Sequence, residues 1–201
     1  MILITPGGVS QLAERHGAEV LGPASAQVPQ VTRVLRDGDA VEIAGARFEI
    51  IEVPGHTLDH IAYHCAAEGV LFCGDTLFAG GCGRVFEGTA AQMQQSLARL
   101  AALPGDTRVY CAHEYTLANL AFARQVEPDN AELAEREREA KALRAKDTPT
   151  VPSTIGLERA TNPFLRWSED SVLRAAEARH GSPLGEPAEV FAEIRRWKDA
   201  S

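Results

Sequence analysis

The chain has 201 residues, 45% of them hydrophobic and 24% charged, with 20 Lys and Arg against 28 Asp and Glu for a formal net charge of −8. That length can bury a sizeable core, as one large domain or a domain with an appendage. The acidic balance argues against DNA or RNA as the main partner, because neutralising phosphates needs a basic face. No apolar run reaches the length of a membrane-spanning helix, and the apolar stretch at 2–4 is too short, and too poor in basic residues, for a secretory signal. The four cysteines show no CxxC spacing, which suits a reduced, cytoplasmic chain. Cys65, Cys73 and Cys111 lie in apolar runs and read as small core residues.

In chain order, short runs rich in Val, Ile, Phe and Tyr predict strands at 2–5, 41–43, 48–53, 61–65, 70–73 and 109–111. Ala44-Gly45-Ala46 reads as a hairpin turn. Between these strands, Val9–His16 predicts a helix closed by Gly17. A second helix, 90–103, places Met93, Leu97 and Leu100 on one face behind a Thr89 N-cap. After residue 115 the strand pattern gives way to helices. Thr116–Val126 ends before Pro128, and Asn130 caps 131–146, where acids come early and bases late along the helix dipole. Glu132 with Arg136, and Glu137 with Lys141, are i,i+4 pairs on what reads as a solvated face. A loop with Pro149, Pro152 and Pro163 leads to helices at 168–180 and Pro187–Asp199.

Three positions share one context, a ligand-type residue just past an apolar strand: His56, Asp75 and His113. Side chains delivered by strand-end loops converge on one rim, and two imidazoles with a carboxylate suit zinc, iron or manganese. Each alone would read as a turn former or a satisfied hydrogen-bonder. The three together point to a metal site. His16 and His180 precede glycines at helix ends and read as capping residues, and His64 in its strand as structural.

Four strings occur in order: Pro54-Gly55-His56-Thr57 with His60, Gly74-Asp75-Thr76-Leu77-Phe78, Gly81-Cys82-Gly83-Arg84 with Glu87-Gly88-Thr89, and His113-Glu114-Tyr115-Thr116. With Val151-Pro152-Ser153-Thr154, Asn162-Pro163-Phe164-Leu165-Arg166 and Arg195-Arg196-Trp197-Lys198-Asp199 in the tail, the sequence closely resembles glyoxalase II, the bacterial-type hydroxyacylglutathione hydrolase of the metallo-β-lactamase superfamily. The first string marks the superfamily, and the others this hydrolase rather than a β-lactamase or persulfide dioxygenase. The resemblance implies an α/β fold: an αββα metallo-β-lactamase-like sandwich over 1–114, N-terminally incomplete, and an all-helical glutathione-binding domain over 115–201. It implies a cytoplasmic thioester hydrolase that converts S-lactoylglutathione to glutathione and D-lactate in methylglyoxal detoxification, with no nucleic-acid or membrane partner. In that family two divalent metals share a bridging hydroxide. By motif, His56 and His113 would bind one metal each, Asp75 would bridge them, and His60 would support the site from behind. Arg84, Tyr115, Arg195 and Lys198 match positions that hold glutathione, although Arg195 and Lys198 would equally complement a helix dipole. Phe86 stands where some members carry Tyr.

The family's HxHxDH motif should follow the strand ending at Thr5, but there the chain runs directly into Pro6-Gly7-Gly8-Val9. Three ligand positions of the family's seven remain, so the expectation for this chain is one metal or none. Without the opening strands, incomplete sheet edges are expected to promote self-association. The alternative to an enzyme is a truncated paralogue or gene-model fragment that retains only glutathione binding.

Overall fold

The computed structural model describes residues 8–25 and 28–201. The strand expected at 2–5 and the Thr5–Pro6 junction lie outside the described residues. Helix α1 (Val9–His16) ends at Gly17, whose φ of 58° lets its N–H turn back to Ala13 O. Strands β1 (Leu21–Gly22) and β2 (Arg33–Val34) form a short parallel pair. Then come β3 (Ala40–Ile43), β4 (Ala46–Glu52), β5 (Ile61–Cys65) and β6 (Val70–Gly74), linked antiparallel in sequence order. Ala44 and Gly45 join β3 to β4 with φ of 53° and 80°, the doubly positive turn that matches strand twist.

Strands β7 (Leu77–Phe78) and β8 (Gly81–Cys82) make a small hairpin, and α2 (Ala90–Ala101) carries the chain to β9 (Arg108–Cys111), which pairs parallel with β6. The Thr89 cap forms as predicted, a capping box with Gln92. Helices α3 (Thr116–Val126) and α4 (Ala131–Arg144) follow, the latter capped by Asn130. Next are β10 (Ser153–Thr154), α5 (Ile155–Thr161), a 3-10 turn at Pro163–Leu165, α6 (Asp170–His180) and α7 (Pro187–Asp199).

Two expectations are corrected. The strand pattern does not end at residue 115, because β10 pairs with β9 and completes a six-stranded sheet of order β10-β9-β6-β5-β4-β3. The proline loop also contains α5, seven residues whose Thr154 cap accepts from Leu157 N–H. Neither element is long enough to show a hydrophobic period.

The sheet has two apolar faces because alternate residues point opposite ways. On one, Ile51, Ala62, Leu71, Cys73 and Val109 pack with Met93, Leu97 and Leu100 of α2 and with Phe122, Phe164, Phe191 and Ile194 of the tail, in one continuous core. On the other, Ile50, Tyr63 and Phe72 stand opposite one another in register and pack with Val41 and Ile61 under Leu21 and Leu35. Cys65 and Cys73 are buried free thiols, as expected, while Cys111 is half-buried. Among the described residues, no helix is long and apolar enough to cross a membrane.

Helix α4 is less solvated than its charge run suggests. Glu137 does pair with Lys141, at 2.7 Å. Arg136 instead turns inward, buried, to the fully buried carboxylate of Glu158 on α5. Helical spacing puts Glu132 within its reach, but a carboxylate removed from water is the stronger partner.

Candidate functional site

Strands β6 and β9 run parallel side by side, and Gly74 is in register with Cys111, so the residues just past their ends emerge at one rim. A bulge between Phe72 and Gly74 re-aims the chain there. The result is Asp75 Oδ1 3.4 Å from His113 Nε2, with Asp75 buried and His113 exposed. Strand β4 points the same way as β6, which delivers the loop bearing His56 to that rim. Helix α2 steadies this loop through Ser96 Oγ, which donates to Pro54 O at 2.7 Å.

The ring hydrogen bonds assign each histidine a state. His56 Nδ1 lies 2.9 Å from Arg84 O, which can only accept, so Nδ1 carries a proton and Nε2 is the ring atom left outside that bond. His60 Nε2 accepts from Asp75 N–H at 3.0 Å, which occupies that lone pair and aligns the Asp75 backbone. Burial holds the His60 imidazole below the usual histidine range against the opposing pull of Asp75, so it is neutral at pH 7. A side chain at Gly74 would strike it, since a Cβ there would stand 2.4 Å from Nε2. Aromatic rings line the rim: Tyr115 stacks on His113 at 5.2 Å between centroids, and Phe86 lies tilted against His56 at 5.0 Å.

The donors test directly whether a metal ion fits. Two ligands on one tetrahedral ion with bonds of about 2.0–2.2 Å stand about 3.3–3.6 Å apart, so the Asp75–His113 spacing suits a shared ion. Beyond that pair, no three His, Cys, Asp or Glu side chains are grouped to hold a metal among the described residues. Residues 1–7, 26 and 27 contain none of these types. The structure therefore brings Asp75 and His113 together without gathering His56 into the same ligand group, and the residues present do not complete a metal centre.

The four cations and aromatics expected to meet glutathione differ in setting. Arg84 and Tyr115 are exposed. Lys198 Nζ donates to Ala118 O at 3.3 Å and lies 5.1 Å above the Phe122 ring, and burial with neighbouring Arg195 lowers its pKa. Arg195 is buried beneath the loop. Its guanidinium donates to Cys82 O at 3.2 Å and Asp199 Oδ1 at 2.8 Å, over the Phe164 ring. Of the histidines read as structural, His64 is buried in β5. His180 sits before the left-handed Gly181 cap and also meets Glu193 at 3.2 Å.

Several supporting residues escape motif reading. Glu158 Oε2 accepts from Gly80 N–H and Asn162 Nδ2, each at 2.9 Å, tying the loop after Asp75 to the tail. Asn119 Nδ2 donates to Ala79 O at 3.1 Å. Polar residues in otherwise apolar helices were the available signal, but their partners lie far away in sequence.

Comparison with known proteins bears on both halves. A family profile described as "Metallo-beta-lactamase superfamily" matches residues 3–113, and one described as "Hydroxyacylglutathione hydrolase C-terminus" matches 114–201. The hydroxyacylglutathione hydrolase of Pseudomonas aeruginosa is 61% identical over 194 residues, covering 96% of this chain and 75% of that protein. That of Alkalilimnicola ehrlichii is 56% identical over 197 residues, covering 97% and 76%. Among solved structures, ETHE1 from Myxococcus xanthus aligns with a TM-score of 0.58 at 25% identity, covering 96% of this chain and 71% of that one. A metallo-β-lactamase from Staphylococcus aureus aligns with a TM-score of 0.59 at 19% identity, covering 97% and 55%, and shows the shared fold alone. With the strand-end rim in front and the helical tail behind it matched together, the chain belongs to the hydroxyacylglutathione hydrolases, the glyoxalase II family of the metallo-β-lactamase superfamily.

Proposed function

We propose that this chain acts on S-(2-hydroxyacyl)glutathione thioesters, releasing glutathione and a 2-hydroxy acid, with S-lactoylglutathione and D-lactate of methylglyoxal detoxification as the pair the family suggests. The observation that carries the reading is the 61% identity to a hydroxyacylglutathione hydrolase over 96% of the chain, which takes in both the rim and the tail. In this reading residues 1–114 carry the rim and residues 115–201 the glutathione side. Arg84 and Tyr115 meet the anionic tripeptide from exposed positions, the Arg84 guanidinium through a charge-assisted pair with a carboxylate, with Lys198 beside them. Arg195 supports the loop from below. Asp75, His113 and His56 Nε2 face the thioester, and His60 keeps Asp75 in place.

The metallo-β-lactamase superfamily implies divalent metal binding. Zinc, iron or manganese would suit these donor types, but the Asp75–His113 pair is one ligand short of the three protein ligands of a catalytic site, so no hydrolytic step through a metal follows from these side chains alone. The cytoplasm is the compartment this reading expects, without nucleic-acid or membrane partners, and with self-association through open sheet edges.

The test is elemental analysis of the dialysed chain, followed by hydrolysis of S-D-lactoylglutathione with zinc, iron(II) or manganese(II) added. Turnover that falls by more than about 100-fold in Asp75→Asn and His113→Ala, beyond the cost of losing a mere supporting residue, upholds the reading. No turnover with any of the three metals overturns it.

A further inference from the structure

Asp199, at the C-terminal end of α7, stands among three cations. Its Oδ1 accepts from Arg195 Nη2 at 2.8 Å and lies 3.6 Å from Arg84 Nε. Lys198, its neighbour in sequence, feels the same charge. The two arginines are held differently. Arg195 is buried and fixed by the Cys82 carbonyl and the Phe164 ring, so it cannot follow a moving partner. Arg84 has a side chain 66% exposed, and its guanidinium reaches back from the loop toward α7 to meet Asp199.

Two guanidinium groups that converge on one carboxylate repel each other once that charge is removed. The fixed partner stays, and the exposed one swings into water. Arg84 is also the residue whose carbonyl accepts the His56 Nδ1–H at 2.9 Å, so its placement bears on the rim itself.

We propose that Asp199 is a positioning residue: standing between the fixed Arg195 and the exposed Arg84, it holds the Arg84 guanidinium at the glutathione side of the site. An i,i+4 pair within α7 would account for Asp199 and Arg195 alone, but it gives no reason for Arg84 to turn toward the same oxygen. Its effect on ligand binding rests on the reading that Arg84 meets glutathione. The holding of Arg84 does not.

The experiment uses the full chain and two readouts. The first is 15N relaxation of the Arg84 Nε–Hε group without ligand. The second is glutathione affinity by calorimetry in wild type, Asp199→Asn, Asp199→Glu, Arg84→Ala and Arg84→Ala combined with Asp199→Asn. Exposed ion pairs are individually weak, so Asp199→Asn is expected to mobilise Arg84 and weaken glutathione by about three- to fivefold. Asp199→Glu should restore both, and the amide should change affinity by less than about 1.5-fold once Arg84 is already alanine, because residues that act through one another are not additive. Unchanged Arg84 relaxation in Asp199→Asn overturns the proposal. So does an unaltered affinity, or an equal loss in the Arg84→Ala background. Should wild type take up no glutathione, the functional reading falls, and the relaxation measurement alone decides the role of Asp199.

Discussion

A methyl group on Gly83 would stand 1.9 Å from the Asp75 carbonyl oxygen and 3.3 Å from His56 Nδ1, so the loop carrying Arg84 closes on the rim only because this residue has no side chain. Both obstacles belong to the site, one of them backbone, and neither can yield without displacing Asp75 or His56. Gly83→Ala is therefore expected to destabilise the fold by about 1–3 kcal/mol, as overpacking does, and to break the His56 Nδ1–H bond to Arg84. A melt and the His56 ring resonances would check the two effects, and a variant matching wild type in both would refute the close packing. The Gly-Cys-Gly-Arg string stands out in the sequence, and Arg84 with it. What the string accomplishes does not, because the atoms Gly83 must avoid come from residues 8 and 27 positions away.

At the scale of elements, the caps were the most legible features. Thr89, Asn130, Gly17 and Gly181 all sit where capping chemistry put them, because a cap bonds within three or four residues of itself. The join between α6 and α7 was not legible. Glu193 on α7 is buried against Arg196 at 2.5 Å, His180 of α6 at 3.2 Å and Arg179 at 3.6 Å. The hydrogen bond from Arg196 holds its carboxyl below the usual range, against burial and with help from His180. A carboxyl whose pKa is lowered by folding stabilises the fold above the unfolded value, near about 4.3, and that stability disappears as pH falls through the folded value. The melting temperature should accordingly fall as pH drops below about 4. Glu193→Gln should start lower at neutral pH and show a shallower acid limb, and equal limbs in the two proteins would contradict this account. The two-residue strands and α5 escaped for a simpler reason, since they exist only through their partners in the sheet and tail.

At the scale of the molecule, Glu158 joins the two halves. It receives Arg136 and Ser153 on one oxygen and Gly80 N–H and Asn162 on the other, with no exposure to water. Removing one partner of such a buried pair leaves an uncompensated charge. Glu158→Ala should cost about 3–5 kcal/mol in urea unfolding and loosen the loop that follows Asp75, while a loss below about 1 kcal/mol, the value of an exposed pair, would show the network to be dispensable. The continuous core behind the sheet agrees with this joining, because α2, α3 and α7 contribute to it together with β5, β6 and β9.

Composition, strand and helix periods, caps and the ordered motifs follow from the sequence alone, and with them the family, the α/β fold with its helical C-terminal region, and His56, Asp75 and His113 as residues at strand ends. These are properties of neighbours along the chain, or of short strings whose chemistry is carried in their residue types. Only the tertiary structure decides that Asp75 and His113 come within 3.4 Å while His56 joins no three-ligand group with them. It likewise decides that Arg195 lies beneath the loop and that Arg136 answers to Glu158 rather than Glu132. Each of those outcomes depends on which distant groups are desolvated together, and desolvation is fixed by packing, which no local pattern encodes.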